Sequence, residues 1–262
     1  VEGQVSFKNL TIAFSVAVFC MYAGLILCLF YFYKGTLFTE TLFSERTLFS
    51  VRLSLVTATV ATALSVLVAI PSAYALSRHN FFGKQIIDTL LELPMIVSPV
   101  SLGAMILISF NTPAGQFVQE RGVQFVFTVY GIMLAQFVTT AGIATRLIKA
   151  AMDEIPPVYE RVAGTLGASP LDTFFTVVLP LSKGGILSSA VLTWAKAVGE
   201  FGATITVAGS MAMKTETLPV AIFMRLAGAD IEGTAVLVLI LITIGLSVLY
   251  GIRLFAHRRA YS

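Results

Sequence analysis

Four side chains with chemistry to offer fall inside one long apolar run, Gly184 to Val207: Lys196, Glu200, Thr204 and Thr206. Lys196 and Glu200 are four residues apart, the spacing that puts two side chains on one face of a helix. A charge inside a membrane span is costly, so it turns toward the protein interior or water and often takes a partner. Two roles suit this set. In one it forms a gate on a polar path, with the two threonine hydroxyls donating to an oxyanion. In the other the ion pair neutralises itself and fixes packing. The sequence favours the second, because Glu200 cancels the charge that a deep dianion site would need from Lys196. Other reactive residues form no catalytic set. His79 and His257 sit at the ends of apolar runs, and no Ser/His, Cys/His or His/Asp/Glu grouping lies within one. Cys20 and Cys28 share the first apolar run without polar neighbours and read as small apolar residues, not as a disulfide or metal site.

The elements that must position these residues belong to a membrane. The chain is 57% hydrophobic and 12% charged over 262 residues, with a mean hydropathy of +0.90. A soluble domain carries about 25% charged residues. A net charge of +3 makes no case for nucleic acid. Six runs approach the roughly 20 apolar residues of a spanning helix: Leu10 to Tyr33, Leu53 to Leu76, Leu93 to Phe110, Phe125 to Thr145, Gly184 to Val207 and Thr234 to Ile252. The first is too long for a signal-peptide core. Pro71, Pro94 and Pro99 mark kinks or helix ends in the second and third runs.

Basic residues in short loops mark the cytoplasmic side. With the termini inside, that side collects ten: Lys8, Arg78, Lys84, Arg146, Lys149, Arg161, Lys183, Arg253, Arg258 and Arg259. The outer side collects six, Lys34, Arg46, Arg52, Arg121, Lys214 and Arg225. Both termini are therefore expected in the cytoplasm. The outer segment Asn111 to Gln124 reads as a solvated loop.

The longest polar stretch, Arg146 to Lys183, lies on that cytoplasmic side and carries its own helix signals. Pro156 and Pro157 open a helix, where a missing N–H costs nothing. Gly167 closes it, taking the left-handed cap conformation at little cost. Ser169, Pro170 and Asp172 form a new helix start resembling a capping box, and Pro180 is expected to limit that second short helix. Val158, Val162 and Leu166 share one side of the first helix. Two short helices bury little against each other, so they must pack on the spans, on another subunit, or on both.

The stretch resembles the cytoplasmic loop of ABC importer permeases, whose motif runs Glu-Ala-Ala, three residues, Gly, nine residues, Ile, one residue, Leu-Pro. Ala163 and Gly167 match; nine residues later come Val177, Val178, Leu179 and Pro180. Arg161 and Val162 depart from the acidic half, and Glu160 supplies an acid one position early. The resemblance implies that Val158, Glu160, Arg161, Ala163, Gly167, Ala168, Leu179 and Pro180 belong to a loop that docks on a separate ATPase. This sequence contains no Gly-x-x-x-x-Gly-Lys-Ser/Thr phosphate loop. ATP and Mg would therefore be held by the partner, with no cofactor bound here and no enzyme activity of its own.

Residues 194–209, WAKAVGEFGATITVAG, and the Thr217-Leu218-Pro219 step resemble oxyanion permeases, nearest the molybdate and tungstate branch. That resemblance implies an all-α membrane protein of six transmembrane helices, with the coupling loop between the fourth and fifth. It implies two ATPase subunits, an extracytoplasmic oxyanion-binding protein and a plasma-membrane location. Six spans make a small bundle, so a second copy is expected, with the path at the two-fold interface. The chain divides into an N-terminal segment and first span (1–49), a transmembrane domain (50–255, coupling loop 146–183) and a basic tail (256–262). Sulfate or thiosulfate is the alternative cargo. A gradient-driven secondary transporter would want more ionisable relay residues than Lys196 and Glu200.

Overall fold

The computed structural model describes residues 2–31 and 35–260, with side chains placed over 7–31 and 38–251. Among the described residues every regular element is helical. They run α1 (Glu2–Tyr31), α2 (Gly35–Leu42), α3 (Glu45–Arg78), α4 (Lys84–Leu90), α5 (Leu93–Ile96), α6 (Pro99–Phe110), α7 (Pro113–Arg121), α8 (Val129–Asp153) and α9 (Val158–Thr165). Then come α10 (Pro170–Thr173), a wide π turn (Phe174–Val178), α11 (Leu179–Val198), α12 (Gly202–Ala208), α13 (Leu218–Ala227) and α14 (Ile231–Ala260). The side chains of Lys34, Arg253, Arg258 and Arg259, counted above for orientation, and that of His257 lie outside the described residues.

Five continuous stretches are long and apolar enough to cross a bilayer: Phe7–Tyr31, Glu45–Arg78, Val129–Asp153, Pro170–Val198 and Ile231–Gly251. A sixth forms only if Lys84–Ile96 and Pro99–Phe110, bent by 114°, count as one. The expected third span is thus a broken one. Val97 and Ser98 are both extended, at ψ 136 and ψ 147. Ser98 precedes Pro99, whose ring disfavours a helical residue before it, and the Ser98 hydroxyl accepts from Ser101 N to start α6 afresh.

The centre of the bundle is the α3 and α8 pair. The buried residues of α3 are mostly small, among them Ser50, Ser54, Thr57, Ala58, Ala61, Thr62, Ser65, Ala69 and Ala73. Small side chains let backbones approach closely, and hydroxyls can bond across a lipid-free seam. Ser65 and Thr140 do so at 2.9 Å. Gly142 meets α5's neighbourhood in the same way: a Cβ there would lie 2.4 Å from the Leu91 carbonyl oxygen. That segment is also held to α8 by Asp88 with Lys149 at 3.1 Å and by Glu92 with Arg146. By contrast α1 leans on α14 and buries none of its apolar stretch inside this chain.

One further expectation is corrected. Within Arg146 to Lys183, α8 continues through Arg146 and Lys149 to Asp153, and α9 and α10 follow. The helix begun at Pro170 does not stop at Pro180 but runs on to Val198. The π turn explains this. Leu179 N–H reaches back five residues to Phe174 O. The widened turn accommodates a proline that lacks an N–H and would crowd the carbonyl four residues earlier.

Candidate functional site

Two groups of candidate residues lie apart in the fold. The first is the turn 154–169. α9 is capped at its end by Leu166, followed by Gly167 at φ +89. Ala168 N–H bonds Ala163 O at 3.1 Å and Gly167 N–H bonds Gly164 O at 3.0 Å. These two bonds are the Schellman pattern, which satisfies carbonyls otherwise orphaned at a helix end. Ser169 then starts α10 with a reciprocal box: its hydroxyl accepts from Asp172 N, and the Asp172 carboxylate accepts from Ser169 N. Pro157 is the N-cap of α9, so the prolines stand immediately before the helix.

This turn leaves an apolar strip bare. Val158, Tyr159, Val162 and Leu166 are exposed, and so are Leu171 and Phe175 on the next helix. Arg161 is exposed, Ala163 and Ala168 are half-buried, and no residue of α9 is buried. Leu179 and Pro180 sit beyond the π turn, half-buried and exposed respectively, away from the Gly167 corner.

Glu160 behaves differently from its neighbours. Its Oε2 accepts from the Tyr74 hydroxyl at 3.0 Å, and its Oε1 accepts from Arg78 Nε. Arg78 Nη2 also donates to Met152 O and Ile155 O at 2.9 and 2.8 Å. Its Nη1 donates to Ser77 Oγ, which in turn donates to Asp153. Tyr74 packs edge-on against Phe174 of the π turn, with centroids 4.8 Å apart. Tyr74, Ser77 and Arg78 were not among the residues singled out from sequence. The only signal available was a basic residue at the end of the second apolar run, which charge counting used for orientation alone.

The second group is a break in the fifth apolar run. α11 ends at Val198, and α12 begins at Gly202. Lys196 and Glu200 are therefore not on one continuous helix, although they remain paired, Nζ to Oε2, at 2.6 Å. Glu200 is 1% exposed and Lys196 39%. The other Glu200 oxygen, Oε1, accepts from Ala203 N at 3.1 Å, closing the open start of α12. The carbonyl of Ala197, at the break, accepts from Glu200 N at 3.2 Å and from Gln136 Nε2 of α8 at 3.1 Å. Broken helices are tolerated in membranes where neighbouring groups satisfy the released backbone in this way.

The break in this run faces the break in the third. A Cβ on Gly202 would lie 3.0 Å from Pro99 Cβ and from Val100 N, and one on Gly103 would lie 2.7 Å from Thr206 Cβ. So α6 and α12 pack backbone to backbone, beginning where both chains are interrupted. Thr206 does not present a free hydroxyl, since it donates to Gly202 O at 2.7 Å. Thr204 is fully buried and its hydroxyl has no partner.

The family model for binding-protein-dependent transport system inner membrane components matches residues 61–261. This chain belongs to that family. It is 37% identical over 202 residues to the molybdenum transport system permease protein ModB of Haemophilus influenzae, covering 75% of this chain and 88% of the relative. It is 30% identical over 209 residues to the sulfate transport system permease protein CysT of Salmonella typhimurium, covering 79% and 76%. In fold it matches the membrane chain of a bacterial ABC transporter that imports the polysaccharide alginate, at TM-score 0.78 and 15% identity over 97% and 96% of the two chains.

As an inner membrane transport component, this permease keeps both residue groups inside the matched region, while α1, α2 and the start of α3 lie before it. Several links cross that boundary, among them Trp194 Nε1 donating to Thr59 Oγ1 at 3.1 Å. Arg46 near the start of α3 donates through Nε and Nη2 to both oxygens of Glu216, at 2.8 and 2.7 Å. Glu216 lies buried between Thr215 and Thr217, so the segment before α13 is fastened to α3. Leu218 N–H donates to Ser54 Oγ at 2.7 Å just below it. Among the described residues no group of His, Cys, Asp and Glu is arranged to hold a metal.

Proposed function

We propose that this chain is the membrane-spanning subunit of an ATP-driven ABC importer for tetrahedral oxyanions, with molybdate or tungstate as cargo. The observation that carries the reading is the 154–169 turn: a short helix with a bare apolar strip, set at a fixed angle by the Gly167 corner. An apolar side left uncovered at the cytoplasmic end of a bundle fits a groove on a soluble partner. That partner is an ATPase, two copies per two permease chains, holding ATP and Mg. The permease performs no hydrolysis itself. Both termini face the cytoplasm, and an extracytoplasmic protein delivers the oxyanion.

The cargo rests on the Gly199 to Thr204 segment together with 37% identity to a molybdenum permease. Lys196, Glu200, Thr204 and Thr206 mark the gate, where the interrupted starts of α6 and α12 abut. Half-helices that break near mid-membrane are where transporters handle ions. In this structure Lys196 is neutralised by Glu200, so the site binds oxyanion weakly and the delivering protein supplies affinity. Sulfate is the second reading, favoured by 30% identity to a sulfate permease.

The test is reconstitution of the permease with its ATPase in proteoliposomes. Binding protein loaded with tungstate, molybdate or sulfate is added in turn. Uptake and ATP hydrolysis stimulated by tungstate and molybdate but not sulfate are expected. Stimulation by sulfate instead replaces the cargo. Uptake that needs no ATP and follows an ion gradient defeats the reading.

A further inference from the structure

We infer that Arg78 transmits movement of α9 into α3 and α8, and that Glu160 is its handle on α9 rather than a contact for the partner. This rests on the reading of α9 as the docking helix.

α9 is joined to the bundle covalently by two turns only, 154–157 before it and 166–169 after it. Neither turn would carry a push to α3, which is 80 residues upstream in the chain. The side chains do. Glu160 is half-buried and both of its oxygens are engaged from α3, by Tyr74 and Arg78. Each oxygen is thus already committed to a donor within this chain. Val158, Val162 and Leu166, on the same short helix, have no such ties and stay exposed.

Arg78 does more than pair with a carboxylate. It is 10% exposed, and its guanidinium spans the Glu160 carboxylate and the Met152 and Ile155 carbonyls at the end of α8. A rigid planar fork, with donors spread over three nitrogens, spans these partners; a lysine ammonium gathers its three donors on one nitrogen at the end of a flexible stem. Ser77 to Asp153 adds a parallel tie one residue away. The last turn of α3, the last turn of α8 and the first turn of α9 thus form one body, in which Glu160 is the only charged residue of α9 taking part. The Gly167 corner provides a separate link from α9 to the helix that carries Lys196. One docking helix is coupled in this way to both sets of spans, through two distinct attachments.

The experiment uses the full complex with ATPase and binding protein, comparing wild type with Arg78→Lys and Glu160→Gln. ATPase co-purification, ATP hydrolysis and oxyanion uptake are measured on the same preparations. Co-purification and hydrolysis are expected to persist while uptake per ATP falls about tenfold, within the usual span of coupling free energies. Unchanged uptake per ATP in both variants overturns the inference. So does loss of co-purification in Glu160→Gln, which would make Glu160 part of the docking surface. A second measurement needs no transport: spin labels at Val162→Cys and Phe82→Cys, in a chain with Cys20 and Cys28 replaced by Ser. The distance distribution is expected to broaden in Arg78→Lys; a distribution as narrow as wild type overturns the link. If wild type itself shows no ATP-driven uptake, the docking reading fails while the label distances still report on the Arg78 tie.

Discussion

The 154–169 turn and the break at 199–201 are both interruptions between helices, yet they differ in what they leave exposed. The corner of the turn is closed locally, by hydrogen bonds between residues three to five apart, from Ala163 to Ala168 and from Ser169 to Asp172. Only Glu160 and the Ile155 carbonyl are held from α3. The turn buries nothing of α9 and leaves an apolar strip outward. The break is closed both locally and from α8. Ala197 O accepts from Glu200 N and from Gln136 Nε2, and the buried Glu200 carboxylate is held by Lys196 and Ala203 N. A surface meant for a partner tolerates local closure, because its remaining apolar area awaits burial. A break inside the membrane has no water to fall back on, so each released polar group must find a protein partner.

The largest effect that sharpens this contrast is expected at the break. Lys196→Met would leave the buried Glu200 carboxylate without its counter-charge, whereas Glu200→Gln leaves only a partly exposed lysine. Removing one member of a buried pair costs about 3–5 kcal/mol, and the exposure of Lys196 lowers this to about 2 kcal/mol or so. Thermal unfolding in detergent, followed by the single Trp194 two residues away, should show Lys196→Met as the less stable variant. Equal stabilities would mean that the pair is not held as seen. Next is Gly142→Ala, whose Cβ would meet Leu91 O at 2.4 Å. Backbone must shift, at about 1–3 kcal/mol, and the same melting assay reads it.

At the turn the expected stability losses are smaller and the functional losses larger. Gly167→Val has open space around it but must hold φ +89. The left-handed region costs an L-residue about 1–2 kcal/mol, more when β-branched. Oxyanion uptake is expected to be lost while membrane insertion and the melting temperature of the bundle stay near wild type. Uptake at the wild-type rate would remove this corner from the coupling path. Ser169→Ala forfeits a cap worth about 1 kcal/mol and should lower uptake partially, with no change at Trp194. The smallest effect on stability, within about 0.5 kcal/mol, is expected for Leu166→Ala, which should nevertheless weaken ATPase co-purification. A marked loss of bundle stability in Leu166→Ala would mean that the strip is packed inward.

The membrane class, the helical content, the Gly167 corner and the Ser169 start were legible in the residues themselves. Each depends on the chemistry of one residue and its neighbours within five positions: a glycine that can take positive φ, a hydroxyl that can cap, an apolar run that can cross lipid. The apolar strip was legible too, from the helical spacing of Val158, Val162 and Leu166; the family motif added the expectation that it docks on a partner. What the chain alone did not reveal was where apolar runs stop being straight. Pro180 looked like a helix end, yet a π turn carried the helix through it. Gly184 to Val207 looked continuous, yet it breaks at Gly199, where Gln136, over 60 residues earlier, adds a second donor to the Ala197 carbonyl. Arg78 was visible only as a positive charge. Its role depends on the ends of α8 and α9 arriving beside it, and that meeting is decided by the packing of the small-residue faces of α3 and α8. Local closure is written in neighbouring residues; satisfaction of buried polar groups depends on which distant groups the tertiary structure brings within reach.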